Sequence, residues 1–252
     1  MTRRRWIADE VAGNTAALVG EHADHLARVL RAEVGQEFDI ATGEEVRRGT
    51  ITTISYDRVE FALGTKPHRT LRSKPLAAPK ITLALAIFKF DRMEWAIEKC
   101  TEIGVARIIP VIARRTDAHL AIAAVKRHER WQRIVRQAAE QSRRSAPPEI
   151  AGPVKLKDLA GAGVLPAGVL TRVVLAESLA ELEEETRLGE ILQSRWTEGE
   201  VALAVGPEGG WADEELAWFY ETGWVAASLG GTILRAETAA IVATALALDA
   251  LR

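Results

Sequence analysis

Two glycine-containing loops near the carboxyl end of the sequence carry the residue types best suited to bind a ligand. They cover residues 205–211 (Val-Gly-Pro-Glu-Gly-Gly-Trp) and residues 229–239 (Leu-Gly-Gly-Thr-Ile-Leu-Arg-Ala-Glu-Thr-Ala). Glycine lets the backbone approach a ligand closely or adopt a positive φ angle. Neither loop has the G-x-G-x-x-G dinucleotide pattern or the phosphate loop that ends in Gly-Lys-Ser/Thr. The pattern therefore favours a ligand other than a plain dinucleotide or nucleoside triphosphate.

The first loop can be interpreted in two ways. Pro207 stiffens the turn, so that Gly209 and Gly210 can present backbone N–H and C=O groups to an adenine edge or a ribose. The same residues are also typical of a tight strand-to-helix connection in which Glu208 is simply solvated.

The second loop ends in two charged residues, Arg235 and Glu237, at the start of an apolar helix. Charged side chains are costly to bury without a partner. Either a salt bridge between them closes the loop, or both face a polar substrate.

Other catalytic chemistries find little support in the sequence. The five histidines show no His-Glu-x-x-His or similar metal-ligand spacing, and there is no G-x-S-x-G nucleophile motif. Cys100 is the single cysteine and falls on the apolar face of a predicted helix, which indicates an inert core residue. We therefore predict neither a metal site nor a disulfide.

The two loops need strands to hold them, and the sequence from residue 81 onward alternates strands with helices. A ligand at the carboxyl ends of such strands is the usual arrangement in α/β proteins. Asp91 and Glu94 are predicted to cap a helix that runs to Ile103 and ends at Gly104. The predicted strands are Ile81–Phe88, Val105–Ile112, Val169–Ala176, Val201–Val205 and Trp224–Leu229, and further helices are predicted over Ala123–Gln141 and Glu237–Leu251. The last helix is apolar nearly all round, so we expect it to be buried, either by the chain's own sheet or by a second subunit.

The first 64 residues predict mainly β structure. Strands are expected over Gly35–Ala41, Val46–Ile54 and Val59–Leu63, after a short helix over Glu21–Leu30. Residues 65–80 contain three prolines among basic residues and predict a linker. The chain is thus predicted to hold a small β domain followed by an α/β domain.

Composition limits the broad class of protein. The chain has 252 residues and a net charge of −2, and no apolar run approaches the roughly 20 residues that span a bilayer. Its basic start lacks the apolar stretch of a signal peptide, which predicts a cytoplasmic protein without a membrane partner. Residues 81–150 hold 13 basic against 8 acidic residues, whereas residues 151–252 hold 7 against 16. The arginine-rich middle suits local phosphate recognition, although a solvated basic helix face explains it as well.

The paired loops resemble those of the RsmE family of SPOUT-class RNA methyltransferases. The likeness extends to Arg92-Met93-Glu94-Trp95 with Lys99, Glu102 and Gly104, and to residues 139–143 with Pro148. His25 and residues 28–31 match the amino-terminal region of the family more loosely. Members of the family methylate N3 of a uridine in 16S ribosomal RNA near the decoding site.

The resemblance implies a fold, a cofactor and partners. It implies an α/β protein with a PUA-like RNA-binding β-barrel over residues 1–70 and a SPOUT methyltransferase domain over residues 71–252, whose carboxyl-terminal segment forms a trefoil knot. It further implies S-adenosylmethionine as cofactor, a homodimer with each active site near the subunit interface, and 16S rRNA or the small ribosomal subunit as partner. The cofactor-binding residues carried over by position are Leu175, Glu177, Val205, Gly206, Glu208, Gly209, Gly210, Leu229, Gly230, Leu234, Thr238 and Ala239.

Catalysis and RNA binding are assigned within this resemblance. Arg235 is expected to stabilise the negative charge that develops on uracil, and Glu237 to orient Arg235 or to take the proton. Two residues depart from the family pattern. Thr232 stands where many members have a basic residue. Ala212 stands where some members have serine, and Asp213 could still cap the helix that follows. The expected RNA-binding residues are Arg3, Arg4, Arg5, Arg28, Arg31, Arg114, Arg115, Arg143 and Arg144.

Two alternatives remain at this stage. One is a SPOUT methyltransferase with a different target nucleotide or methylated atom. The other is a non-catalytic RNA-binding factor in ribosome assembly that retains the cofactor site.

Overall fold

A computed structural model of the protein describes residues 5–43, 45–67, 80–176, 187–196 and 199–251. The chain divides into two compact units, one of residues 1–75 with 136–147 and the other of residues 76–135 with 148–252. Within the described residues, no helix is both long and apolar enough to cross a membrane.

The first unit is built on a mixed six-stranded sheet in the order β1-β4-β5-β6-β3-β2, in which only the β1–β4 pair is parallel. Side chains of the long strands alternate between the core and the surface, and the core contains Trp6, Leu18, Ile51 and Phe61. Gly49 is required where two strands pack closely, because a Cβ there would lie 2.6 Å from Cγ1 of Ile40. The strands are β1 Trp6–Ile7, β2 Glu10–Ala12, β3 Thr15–Val19, β4 Glu37–Ala41, β5 Val46–Ile54 and β6 Arg58–Pro67, with helix α1 Glu21–Asp24 followed by a π-helical turn His25–Val29.

A buried polar network joins this sheet to residues 136–147 of the same unit. Arg136 binds Asp9 at 2.6 Å and donates a hydrogen bond to the carbonyl of Ile7. The backbone N–H of Ile7 in turn donates to the fully buried Glu140 carboxylate. Asp9 also accepts the backbone N–H of Val19 at 2.9 Å.

The second unit contains a seven-stranded, all-parallel sheet in the order β10-β8-β7-β12-β11-β13, with β9 paired to β8. Its strands are β7 Ile81–Ala86, β8 Arg107–Ile112, β9 Glu149–Ile150, β10 Val154–Lys155, β11 Val169–Leu175, β12 Glu200–Val205 and β13 Val225–Ala227. The helices are α2 Phe90–Ile103, α3 Ala118–Gln141, α4 Leu188–Arg195, α5 Asp213–Glu221 and α6 Ala236–Ala250, with a 3-10 helix at Leu156–Ala160.

Both faces of this sheet are covered, as its continuous apolar strands require. Leu83 and Leu85 of β7 join a core that includes residues of α2, α4 and α6, whereas Ala84 and Ala86 join a second core with residues of α5. Because the strands are parallel, the loops after β11, β12 and β13 all begin at the same edge of the sheet.

Several sequence predictions are confirmed and others are wrong. All five predicted strands of the α/β region are present, and two short ones, β9 and β10, were missed. Gly104 ends α2 with φ 128°, as predicted, but the helix begins after Lys89 without a side-chain cap. Glu94 is not a capping residue, because it binds Arg127 and Arg130 instead.

Helix boundaries and burial also differ from prediction in places. Ala212, not Asp213, is the residue that precedes α5. Helix α6 is only partly covered by this chain, since Leu246 is 43% exposed, so its cover by a second subunit stays a prediction. The predicted linker over 65–80 begins inside β6, which reaches Pro67, and residues 68–79 lie outside the described residues.

Candidate active site

A cavity of about 530 Å³ opens at the carboxyl-terminal edge of the parallel sheet. Its wall combines the end of β11, the loop after β12 and the loop after β13 with Arg92 of α2 and Arg115 from the loop after β8. The two glycine-containing loops singled out in the sequence therefore meet in one cavity.

Most of the predicted cofactor residues lie on this wall. Thr238 is half-buried in the first turn of α6 and is not among the lining residues, and Glu177 lies outside the described residues. Those that line the cavity are Leu175, Val205, Gly206, Glu208, Gly209, Gly210, Leu229, Gly230, Leu234 and Ala239.

Trp211 anchors the first loop against the end of β11. The indole Nε1–H donates a hydrogen bond to the Leu175 carbonyl at 3.1 Å, and the side chain is 5% exposed. A Cβ at Gly206 would lie 3.2 Å from Trp211 Nε1, so only glycine fits there without displacing the ring. Gly210 and Gly230 have φ angles of +69° and +123°, which side chains rarely tolerate.

A second anchor comes from the loop after β8. Both oxygens of the buried Glu215 carboxylate accept backbone N–H groups, that of Arg114 at 2.8 Å and that of Ala212 at 2.9 Å. Arg115 Nη1 donates to the Gly209 carbonyl at 2.5 Å. The first loop is therefore held from two sides, and its glycine backbone is preorganised.

The charged residues near the second loop do not pair as the sequence suggested. Glu237 is 6% exposed, and its Oε1 lies 3.9 Å from Nε of Arg92, while Arg92 Nη1 donates to Glu208 Oε1 at 2.6 Å. Arg235 is exposed on the cavity wall, and within the described part of the chain it has no ion-pair partner. Of the two alternatives for this loop, the salt bridge between Arg235 and Glu237 is not formed among the described residues, and Glu237 pairs with Arg92 instead.

Two buried polar atoms at this site have no hydrogen-bond partner among the described residues. They are Oγ of Ser228, which lines the cavity at the end of β13, and Oε2 of Glu237, which does not. Buried polar groups are usually satisfied, so an orphaned hydroxyl on a cavity wall indicates a ligand contact.

The predicted RNA-binding arginines differ in their surroundings. Arg28, Arg31, Arg114 and Arg143 are exposed, although Arg28 binds Asp24 at 2.7 Å. Arg5 is 8% exposed and donates to the Arg143 carbonyl, so it is an internal residue of the first unit and the phosphate-binding role expected for it is not supported. Arg144 is half-buried, and burial lowers the pKa of its guanidinium. Arg115 lines the cavity, and Arg3 and Arg4 lie outside the described residues.

Sequence reasoning missed three residues of the site. Arg92 lies within a segment that supported the family resemblance, but its spacing gave no signal that α2 would bring it to the loops. Trp211 is the last residue of the first loop, but its place in the pattern did not indicate that its ring would anchor the loop. Ser228 lies within the predicted strand Trp224–Leu229 and belongs to no motif of its own.

Known proteins resemble this chain over the region that forms the cavity. The sequence profile of the RNA methyltransferase domain matches residues 75–248. Ribosomal RNA small subunit methyltransferase E from Mycobacterium bovis is 34% identical over 236 residues, covering 92% of this chain and 85% of the relative. The protein of that name from Synechocystis sp. is 32% identical over 242 residues, covering 94% of this chain and 74% of the relative.

A solved structure adds a ligand to the comparison. The crystal structure of ribosomal RNA small subunit methyltransferase E from Neisseria gonorrhoeae, bound to S-adenosylmethionine, matches with a TM-score of 0.78 at 29% identity. The match covers 96% of this chain and 95% of that chain. The similarity thus includes both units of the fold.

Proposed function

The chain belongs to the RsmE family of RNA methyltransferases, and we propose that it transfers a methyl group from S-adenosylmethionine to N3 of a uridine in small-subunit ribosomal RNA. The observation that carries this proposal is the single cavity formed by both glycine-containing loops at the carboxyl-terminal edge of the parallel sheet. The target near the decoding site is taken from the family.

The residues present fit S-adenosylmethionine. A volume of about 530 Å³ lies within the range of small-molecule sites. Gly206 and Gly210 bring the backbone of the first loop to the wall. The Ser228 hydroxyl, which has no partner among the described residues, offers a hydrogen bond to a ligand. Leu175, Leu229 and Leu234 supply apolar surface for a purine ring.

The reaction needs an aligned nucleophile and stabilisation of a developing anion. When bound, the cofactor supplies an electrophilic methyl group on a sulfonium. Loss of the N3 proton leaves negative charge on uracil, and Arg235, without an ion-pair partner among the described residues, is the cation assigned to stabilise it. Glu237 is assigned as a supporting carboxylate at this end of the cavity, where it lies next to the guanidinium of Arg92.

RNA recognition is assigned to exposed arginines. The amino-terminal β region, over residues 1–70, is proposed as a PUA-like RNA-binding barrel, with Arg28 and Arg31 exposed. Arg114 and Arg143 supply further phosphate contacts. The target base must be unstacked to enter the cavity, as is usual for enzymes that act on a base.

Further proposals follow from membership of the family. The carboxyl-terminal segment is proposed to form a trefoil knot, and the chain a homodimer. Helix α6 is largely apolar and leaves the apolar side chain of Leu246 exposed in this chain, which supports cover by a second subunit. A cytoplasmic location is part of the same proposal, because the ribosomal RNA substrate is found there.

Mass-spectrometric mapping of small-subunit rRNA, after incubation of assembled subunits and of naked RNA with the protein and S-adenosylmethionine, tests the function. The expected product is one uridine methylated at N3. Methylation of another base or atom would favour a SPOUT enzyme with a different target. Cofactor binding by calorimetry without any methylated product would favour the non-catalytic assembly factor.

A further inference from the structure

We propose that Arg92 is a further catalytic residue of the methyl transfer and that Glu237 is the positioning residue that holds it. The inference rests on the proposed function and assigns a role to a side chain to which the sequence pattern gave no role in the site. It also replaces the role of Glu237 as a partner of Arg235 or as a base.

Arg92 is held between two carboxylates from two different loops. Nη1 donates to Glu208 Oε1 at 2.6 Å, and Nε lies 3.9 Å from Glu237 Oε1. A guanidinium has five N–H donors, and no partner of Nη2 exists among the described residues. Arg92 is thus fixed at two points and retains donors for a ligand, as expected of a preorganised group on a cavity wall.

Glu237 cannot serve the reaction directly in this arrangement. Its side chain is 8% exposed, it is absent from the cavity wall, and its Oε2 is sealed from solvent without a hydrogen-bond partner in the described part of the chain. Its other oxygen is the one that approaches Arg92. Glu237 therefore acts on the cavity through the guanidinium.

The chemistry of uracil explains why two cations are useful. When N3 loses its proton to solvent water, the N–H electron pair stays on the ring and its charge is shared with the carbonyl oxygens on either side of N3. That electron pair then forms the bond to the methyl carbon, while the carbon–sulfur pair remains on sulfur. Arg92 comes from α2 and Arg235 from the second loop, so one guanidinium is available for each flanking carbonyl.

The proposal predicts a specific kinetic signature for Arg92→Ala. We expect kcat at saturating S-adenosylmethionine and RNA to fall about 100-fold at neutral pH, with the cofactor Kd from calorimetry changed less than threefold. Arg92→Lys keeps the charge and should lie within about tenfold of wild type. Lys99→Ala, which removes a half-buried cation of the same helix that pairs with Glu98 and Glu102 and does not line the cavity, is the matched control and should leave kcat unchanged.

A pH–rate profile separates charge stabilisation from a structural role. The charged groups on the wall are Arg92, Arg115, Arg235, Glu208 and Asp213. If Arg92 stabilises the uracil anion, the deficit of Arg92→Ala should shrink to below about tenfold as rising pH removes the N3 proton without help. A deficit equal at every pH, or a loss of cofactor affinity parallel to the loss of kcat, would overturn the role.

A double variant tests the link to Glu237. Because Glu237 acts through Arg92, Glu237→Gln should slow the wild-type enzyme but should not slow Arg92→Ala further. Additive losses would contradict the positioning role. An active wild type with unchanged kcat in Arg92→Ala would overturn only this inference, whereas a wild type that methylates no uridine N3 would overturn the proposed function as well.

Discussion

The carboxylate of Glu215 accepts the backbone N–H of Arg114 at 2.8 Å, across 101 positions of sequence. Its second oxygen accepts the N–H of Ala212 at 2.9 Å, so one buried side chain joins the loop after β8 to the loop that forms the cavity. Burial and two charge-assisted hydrogen bonds make this contact strong.

Loss of that carboxylate should loosen the first loop. We expect Glu215→Ala to lower the free energy of unfolding by about 2–4 kcal/mol, because one buried and one partly buried backbone N–H lose their acceptor. Cofactor affinity should fall at least tenfold. Urea unfolding and calorimetry measure the two effects, and the exposed neighbour Glu214→Ala should change neither. Equal behaviour of the two variants would contradict the anchoring role.

Arg235→Ala should affect turnover rather than cofactor binding. Arg235 lies on the cavity wall without an ion-pair partner among the described residues, so its removal breaks no ion pair among them. We expect turnover to fall about 10²–10³-fold. Single-turnover assays with radiolabelled cofactor measure this, and an unchanged rate would exclude the role.

Gly206→Ala should weaken cofactor binding through the Trp211 ring. The added Cβ would lie 3.2 Å from Nε1, so the indole must shift and its hydrogen bond to Leu175 is strained. We expect the Kd for S-adenosylmethionine to rise about tenfold or more, measured by calorimetry. The control is Gly189→Ala in α4, where a Cβ meets nothing within 4 Å. It should be neutral or stabilise by about 0.5–1 kcal/mol.

The lowered pKa of Asp9 leads us to expect that this carboxylate contributes to the acid sensitivity of the first unit. Burial disfavours its charged form, but hydrogen bonds from His22 and the Val19 N–H and the charge of Arg136 outweigh burial and lower the pKa of the carboxyl below 3.8. Because the pKa of Asp9 is lower in the folded protein than in the unfolded chain, its ionised carboxylate stabilises the folded state at pH values above the unfolded pKa. That stabilisation is lost as the pH falls through the folded pKa.

Asp9→Asn should therefore cost about 1–3 kcal/mol at pH 7 and progressively less below about pH 4. Chemical unfolding across this pH range measures the difference. The exposed Asp57→Asn is the control and should leave the pH dependence as in wild type. A constant difference between Asp9→Asn and wild type at every pH would contradict the assignment.

Cys100 should resist alkylation in the folded protein. Burial raises the pKa of its thiol to about 12, despite the hydroxyl of Thr244 at 3.5 Å. At pH 8 the thiolate is scarce and the sulfur is inaccessible, so iodoacetamide should modify Cys100 only after unfolding. Mass spectrometry of native and urea-treated protein distinguishes the two states, and rapid native labelling would be the contrary result.

Local patterns in the sequence predicted the long strands of the parallel sheet and the loops after them, but not the strands β1, β2 and β3. The apolar runs at Ile81, Val169 and Val201 became β7, β11 and β12 because buried parallel strands have a continuous apolar signal. Gly104 marked a helix end because few other residues accept its φ of 128°. The sequence also predicted most of the cavity wall, because glycine-containing loops at the ends of strands are local features that a sequence pattern can indicate.

Contacts between distant segments could not be predicted in the same way. Glu94 was interpreted as a cap from its spacing to Asp91, but Arg127 and Arg130, more than thirty positions later, offer it a stronger partner. Arg92 reaches Glu208 across 116 positions and Glu237 across a similar span, and no spacing rule describes either pair. The charge arrangement of the site therefore emerged only from the fold.

The packing of helix α6 on helix α2 has a consequence for biosynthesis. Helix α6 packs on α2, although more than 130 residues separate them, and the cavity wall includes residues from 92 to 239. A nascent chain can complete the sheet of its first unit early, but the methyl-donor cavity cannot exist until residues 236–250 have emerged and docked. A newly made chain therefore gains this cavity only after helix α6 has docked on α2.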